Sequence, residues 1–197
     1  MSKFGIAIQH VNRKGQTYYL HHRRSKTGVS HYHFSTIAKG GNLVEALPEG
    51  YEIYESVPGQ VFLRRKKPRI ISDIELAVLR NVLDRQPDRP IYKLEEQDAA
   101  VIVYLAEVHL GFEGDPLWGL LSPSSEDFRR RRAASANYTA MMRFVLSDSD
   151  VRLFAVERYC FRGSVDRWIH LAGPDRLAAL GERFLPHLGH DSFYELM

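Results

Sequence analysis

The chain holds one cysteine, Cys160, among 197 residues. A disulfide framework is therefore excluded, and the usage suits a reducing cytoplasm. Long hydrophobic runs are also missing. The longest nearly continuous one, Ala99–Ala106, falls far short of the roughly 20 apolar residues a helix needs to cross a bilayer, so no membrane association is expected. The first residues, MSKFGIAIQH, carry neither an apolar core nor a small-residue cleavage site, and no secretory signal is expected there. Several chemical signatures are absent too: G-x-x-x-x-G-K-[ST], G-x-G-x-x-G, G-x-S-x-G, H-E-x-x-H and any C-x-x-C pair. Their absence excludes the usual forms of phosphate-loop enzymes, dinucleotide-binding enzymes, nucleophile-elbow hydrolases and zincins. No internal repeat or low-complexity segment is visible, and no cofactor is expected.

What is present is ordinary in amount and uneven in placement. Hydrophobic residues make up 44% and charged residues 26% of the chain, enough to bury a sizeable core. The net charge is only +3, yet residues 1–70 hold 12 lysines and arginines against 4 glutamates, a net +8. The remainder carries a net −5. A basic first third on a mildly acidic body points to an anionic partner, with mutual attraction of the two parts as the ordinary alternative.

The local patterns divide the chain. A short strand is expected at Phe4–Gln9. Thr17–Arg24 and Val29–Ser35 flank Ser25-Lys26-Thr27-Gly28, and aromatic and β-branched residues around a short glycine-bearing turn predict a β-hairpin. With Lys26 and Thr27 as the turn centre, His22, His31 and His33 share one face with Arg24, while Tyr19, His21, Tyr32 and Phe34 share the other. Tyr51–Glu55 and Gln60–Arg65 predict a second hairpin around Pro58-Gly59. The run Arg64-Arg65-Lys66-Lys67-Pro68-Arg69 ends it, since proline cannot continue a strand.

Ser72-Asp73-Ile74-Glu75 has the form of a capping box, and apolar spacing predicts a helix onward to about Arg85. Ile91–Leu94 and Ala99–Ala106 are expected to pair around Glu95–Asp98, with the second strand inside a sheet because it is apolar on both faces. Trp118, Leu120 and Leu121 are read as loop anchors, and a helix capped by Ser124 or Ser125 is expected to contain Arg129–Arg132. The densest apolar block, Tyr138–Leu171, reads as a hairpin of Met141–Leu146 and Val151–Phe161 with Phe154 and Trp168 buried. After Gly173-Pro174, Asp175–Leu185 is an amphipathic helix, and Asp191–Met197 adds a short one.

These elements predict an α+β protein. A small β-hairpin-rich basic module spans 1–69, and an α+β domain with an antiparallel or mixed sheet and two to three helices spans 70–197. The phrases YEIYESVPGQVFLRR and ERYCFRGSVDRWI resemble a group of uncharacterised bacterial proteins over most of the chain. That resemblance implies no function.

Four groups of residues could carry chemistry. His22, His31 and His33 on one hairpin face could hold zinc or serve a hydrolase or nuclease, although a solvated polar face is the commoner outcome. Glu157, Arg158, Arg162, Asp166 and Arg167 could hold a catalytic carboxylate, although ion-pair networks look the same. Cys160, between Arg158 and Arg162, could be a nucleophile with His109 or His170 as its base, although a buried structural thiol is usual. The cations Arg23, Arg24, Lys26, Arg64, Arg65, Lys66, Lys67 and Arg69 lie among Tyr18, Tyr19, Tyr32 and Phe34, which suits phosphate contacts beside stacking rings. The leading expectation is nucleic-acid binding by these basic residues. A protein adaptor meeting an acidic partner is the third reading.

Overall fold

A computed structural model describes residues 7–39, 42–86, 91–107, 133–134, 136–162 and 165–197, with the side chains at 161–166 left aside. The expected strand residues 4–6, the loop anchors Trp118, Leu120 and Leu121, His109, and the arginine-rich helix at 124–132 lie outside the described residues. The chain divides into two compact units, Met1–Pro68 and Arg69–Met197.

The first unit is built from hairpins. Strands β1 (Gln9–Val11), β2 (Thr17–Arg24) and β3 (Ser30–Ser35) form an antiparallel sheet in that order, and β4 (Tyr51–Glu55) pairs with β5 (Val61–Arg65). One turn design closes all three hairpins. The N–H of Gly15, Gly28 and Gly59 donates to the carbonyl of Asn12, Ser25 and Ser56, and each of those residues in turn donates to the carbonyl four residues on. Each glycine has positive φ, 77°, 84° and 89°. This is the three-residue hairpin loop in which a type I turn is finished by a left-handed residue, a place that favours glycine. The leading Asn or Ser side chain adds a bond to the N–H of Gln16, Val29 or Gln60.

That turn settles the register of β2 against β3. His21 faces His33, His22 faces Tyr32 and Arg23 faces His31. A two-residue turn centred on Lys26-Thr27 would have shifted every pair by one. Because strand side chains alternate, a one-residue shift exchanges the faces. His21, Arg23, His31 and His33 therefore share one face, and His22 lies on the other with Leu20, Arg24, Tyr32 and Phe34.

Among the described residues of this unit, the buried large apolar side chains are Leu20, Val57 and Val61. Polar bonds supplement them. Asn12, 4% exposed, donates to the Gly59 carbonyl at 2.7 Å, and its Oδ1 accepts from the N–H of Lys14 and Gln16. Glu55 accepts from the Arg13 N–H and pairs with His10, each at 2.9 Å.

The second unit is an antiparallel meander against helices. Strands β6 (Tyr92–Gln97), β7 (Ala100–Ala106), β8 (Tyr138–Asp148), β9 (Leu153–Arg162) and β10 (Val165–Arg176) lie in sequence order across one five-stranded sheet. One sheet face buries Val101, Val103, Met142, Phe144, Phe154 and Val156 against helices α1 (Asp73–Asp84) and α2 (Leu177–Phe184), which supply Leu79, Val82, Leu83, Leu180 and Phe184. A 3-10 turn (Leu185–His187) and α3 (Ser192–Glu195) follow, with Phe193 fully buried. The capping box at Ser72 and Glu75 is complete. The protein is thus α+β, with a hairpin-rich first part and an antiparallel main sheet. Among the described residues, no helix is long and apolar enough to cross a membrane.

Local expectations need correction in this unit. Glu95 and Glu96 lie in β6, because the β6–β7 turn needs only Asp98 and Ala99 between the paired Gln97 and Ala100. Asp98 accepts positive φ there, a conformation an Asp tolerates better than most residues. Gly173-Pro174 does not end the strand before it. β10 runs through the pair by a register shift, and α2 begins only at Leu177. Trp168 is half-buried, because its pairing with Tyr159 sets it on the sheet face opposite Phe154.

Candidate nucleic-acid interface

The β2–β3 hairpin carries its charge at its tip. Arg23 and Arg24 are the last residues of β2, so they project to opposite faces, and Lys26 opens the three-residue turn. All three are exposed, and none makes a side-chain hydrogen bond or ion pair among the described residues. A surface concavity of about 620 Å³ at this tip is lined by Arg23, Ser25, Lys26, His31, Tyr32 and His33. No carboxylate is among its lining residues.

Behind the tip, a row of rings connects the β2–β3 hairpin to the β4–β5 hairpin. His22 packs on Tyr32 with ring centroids 5.0 Å apart, Tyr32 meets Tyr51 of β4 at 6.4 Å, and the Arg65 guanidinium lies 5.8 Å from the Tyr51 ring. The row braces the tip, since aromatic rings bury large area at little entropic cost. His22 Nε2 is buried there without a hydrogen-bond partner. On the other face, His21 and His33 stack at 5.4 Å, and His21 Nε2 also bonds the Ile37 carbonyl at 3.0 Å.

The basic run after β5 does not present a free row of cations. Arg64 pairs with Glu52 at 2.8 Å and lies 4.0 Å from the centre of the Tyr54 ring. Arg65 donates to the Tyr51 hydroxyl at 3.3 Å, which with the phenol's charge raises the guanidinium's pKa still further. Lys66 and Lys67 are exposed. Arg69 belongs to the second unit, where it pairs with Asp73 and Glu96, each at 2.8 Å. Its neighbours in sequence are thus spent in different places. Asp73 is only four residues from Arg69, but Glu52 and Glu96 lie 12 and 27 residues from Arg64 and Arg69, so the sequence alone did not show these two pairings.

The alternative sites come apart. His22 stands on the opposite face from His31 and His33, so the three-histidine set does not form, and no group of three metal-ligating side chains is found among the described residues. Glu157 and Arg158 are neighbours on a strand and point to opposite faces. Glu157 pairs with Arg143 at 2.5 Å, and the Arg143 guanidinium lies 4.6 Å from the Trp168 ring centre. Arg158, 8% exposed, turns to the core side and donates to the Leu196 carbonyl at 2.6 Å. The side chains of Arg162 and Asp166 lie outside the described ones. Cys160 is a buried free thiol, 5% exposed.

The register and faces of the tip could have been found from the turn signature. Ser or Asn three residues before Gly, repeated at Asn12, Ser25 and Ser56, identifies three-residue loops and therefore the correct faces. No family model matches the chain, and no curated protein or solved structure matches it.

Proposed function

We propose that this chain binds nucleic acid through the tip of the β2–β3 hairpin, with Arg23, Arg24 and Lys26 contacting backbone phosphates, and that it works in the cytoplasm. The observation that carries this reading is three exposed cations at one hairpin tip with no counter-ion among the described residues. Unpaired surface cations keep their full attraction for phosphate, whereas Arg64 and Arg69 must first give up a carboxylate. Exposed ion pairs are weak, about 0–1 kcal/mol, so the basic run adds to binding in second place. Backbone contacts position a protein on a strand and read no bases, so little sequence preference is expected.

Titration of labelled duplex DNA, single-stranded DNA and RNA at several salt concentrations tests it. Three phosphate contacts correspond to a log–log slope of about −2.7 on duplex, from roughly 0.9 per contact. Changing Arg23, Arg24 and Lys26 together to alanine should flatten the slope by about 2–3, and changing Arg64 alone should alter it by less than about 1. Absence of binding to all three at ~10 µM protein and ~50 mM salt, where nonspecific affinity is normally measurable, would transfer the tip to an acidic protein partner.

A further inference from the structure

We infer that His31 and His33 belong to the same phosphate-binding surface as Arg23 and Lys26, and that the tip takes up protons when it binds a phosphodiester strand; this rests on the nucleic-acid reading above. Both histidines are exposed, and both line the concavity that Arg23 and Lys26 line. Arg23 stands directly opposite His31 across the ladder. Histidine is the side chain whose ordinary titration changes its charge between about pH 5 and 8. Each imidazolium formed at this tip adds a cation beside two, Arg23 and Lys26, that have no counter-ion among the described residues. A phosphate seated among these side chains favours the charged form of an imidazole beside it. Ligand and proton therefore favour one another, and the coupling is reciprocal.

The surroundings leave this coupling uncancelled. On the same face, β2 presents Arg23 and also His21, whose ring is stacked on His33. The opposite face of β2 has His22 and Arg24. The hairpin packed against β3 carries Glu52, Glu55, Arg64 and Arg65. Its two glutamates are already engaged, Glu52 with Arg64 and Glu55 with His10. The shared ligand chemistry is a phosphate oxygen. We assign it to a nucleic-acid backbone because the cations are spread over both faces of the tip, a layout that follows a strand better than it encloses one ion.

The test is anisotropy of a labelled single-stranded oligonucleotide between pH 5.5 and 8.5 at fixed low salt. Each imidazolium that meets a phosphate should tighten binding by about tenfold at ~50 mM salt and steepen the salt slope by roughly 0.7. The double variant His31→Gln and His33→Gln should bind like the original chain at pH 8.5 and lose the gain at pH 5.5. His31→Gln alone, which disturbs no stacked ring, should lose about half of that gain. Binding that persists but ignores pH, or an equal pH dependence in the double variant, would overturn the proton coupling and leave the tip reading standing. No binding at any pH would overturn the tip reading itself. Inorganic phosphate should compete only at millimolar concentration, and displacement at micromolar concentration would make the concavity a free-phosphate site instead of a strand site.

Discussion

At Gly173 the backbone of β10 passes so close to β9 that a Cβ would sit 2.6 Å from Ala155 Cα and 2.6 Å from the Phe154 carbonyl oxygen, and φ is +119°. Both facts demand glycine, so Gly173→Ala should cost about 3 kcal/mol or more, read as a lowered urea midpoint by tryptophan fluorescence. Phe154 and Trp168 separate in the same way. Phe154 is fully buried under the helices, and Phe154→Ala should cost about 3–5 kcal/mol. Trp168 is half-buried beside Arg143 and Tyr159, so Trp168→Ala should cost only about 1–2 kcal/mol, followed by circular dichroism because the variant loses one of the two tryptophans. Equal losses would put both side chains in one core.

At the scale of elements, Glu75 ties helix α1 to the β8–β9 turn. Its carboxylate accepts from the Ser72 N–H at 2.8 Å and takes both Nε and Nη2 of Arg152, at 2.8 and 2.6 Å. Burial alone would raise the Glu75 pKa, but the bonds from Arg152 and Ser72 outweigh it and hold the carboxyl below its ordinary value. A depressed carboxyl stabilises the fold above its unfolded pKa and loses that contribution as pH falls through the folded one. Glu75→Gln should therefore cost about 1–2 kcal/mol near pH 7, and its difference from the original chain should shrink toward pH 3. Urea titrations at the two pH values check this. A deficit that is the same at both would mean that the carboxylate's charge contributes nothing.

At the scale of the molecule, the two units differ in what holds them. Among its described residues the first buries few large apolar side chains, Leu20, Val57 and Val61, and supplements them with the Asn12 network. The second buries a continuous core from both helices and the central strands. Small domains with little buried area are marginal, so residues 1–68 should unfold at lower urea than residues 69–197. Both tryptophans, Trp118 and Trp168, lie in the second unit, so far-UV circular dichroism should begin to change before tryptophan fluorescence does. Coincident transitions would mean that the chain unfolds as one cooperative body. Asn12→Ala should move only the early change, by about 2–3 kcal/mol, since it strands the Gly59 carbonyl and two N–H groups.

Local chemistry was enough to read the α+β class, the hairpins at 17–35 and 51–65, the capping box at Ser72 and the long hairpin formed by β8 and β9. Each depends on neighbours within a few residues: a capping oxygen, a glycine in a turn, an alternation of apolar side chains. The basic character of the first third was equally plain, because charge is a property of composition. Only tertiary structure decided which cations remain unpaired. Arg64 and Arg69 meet their carboxylates through strand pairing and packing, while Arg23, Arg24 and Lys26 stand at a tip where no acid pairs with them among the described residues. The histidine faces hung on one left-handed residue, Gly28, since a single extra loop position reverses every side chain along β3 relative to β2. Trp168 and Phe154 are alike in composition and differ in burial for the same reason: helices cover one face of the sheet, and alternation places the two rings on opposite faces of it.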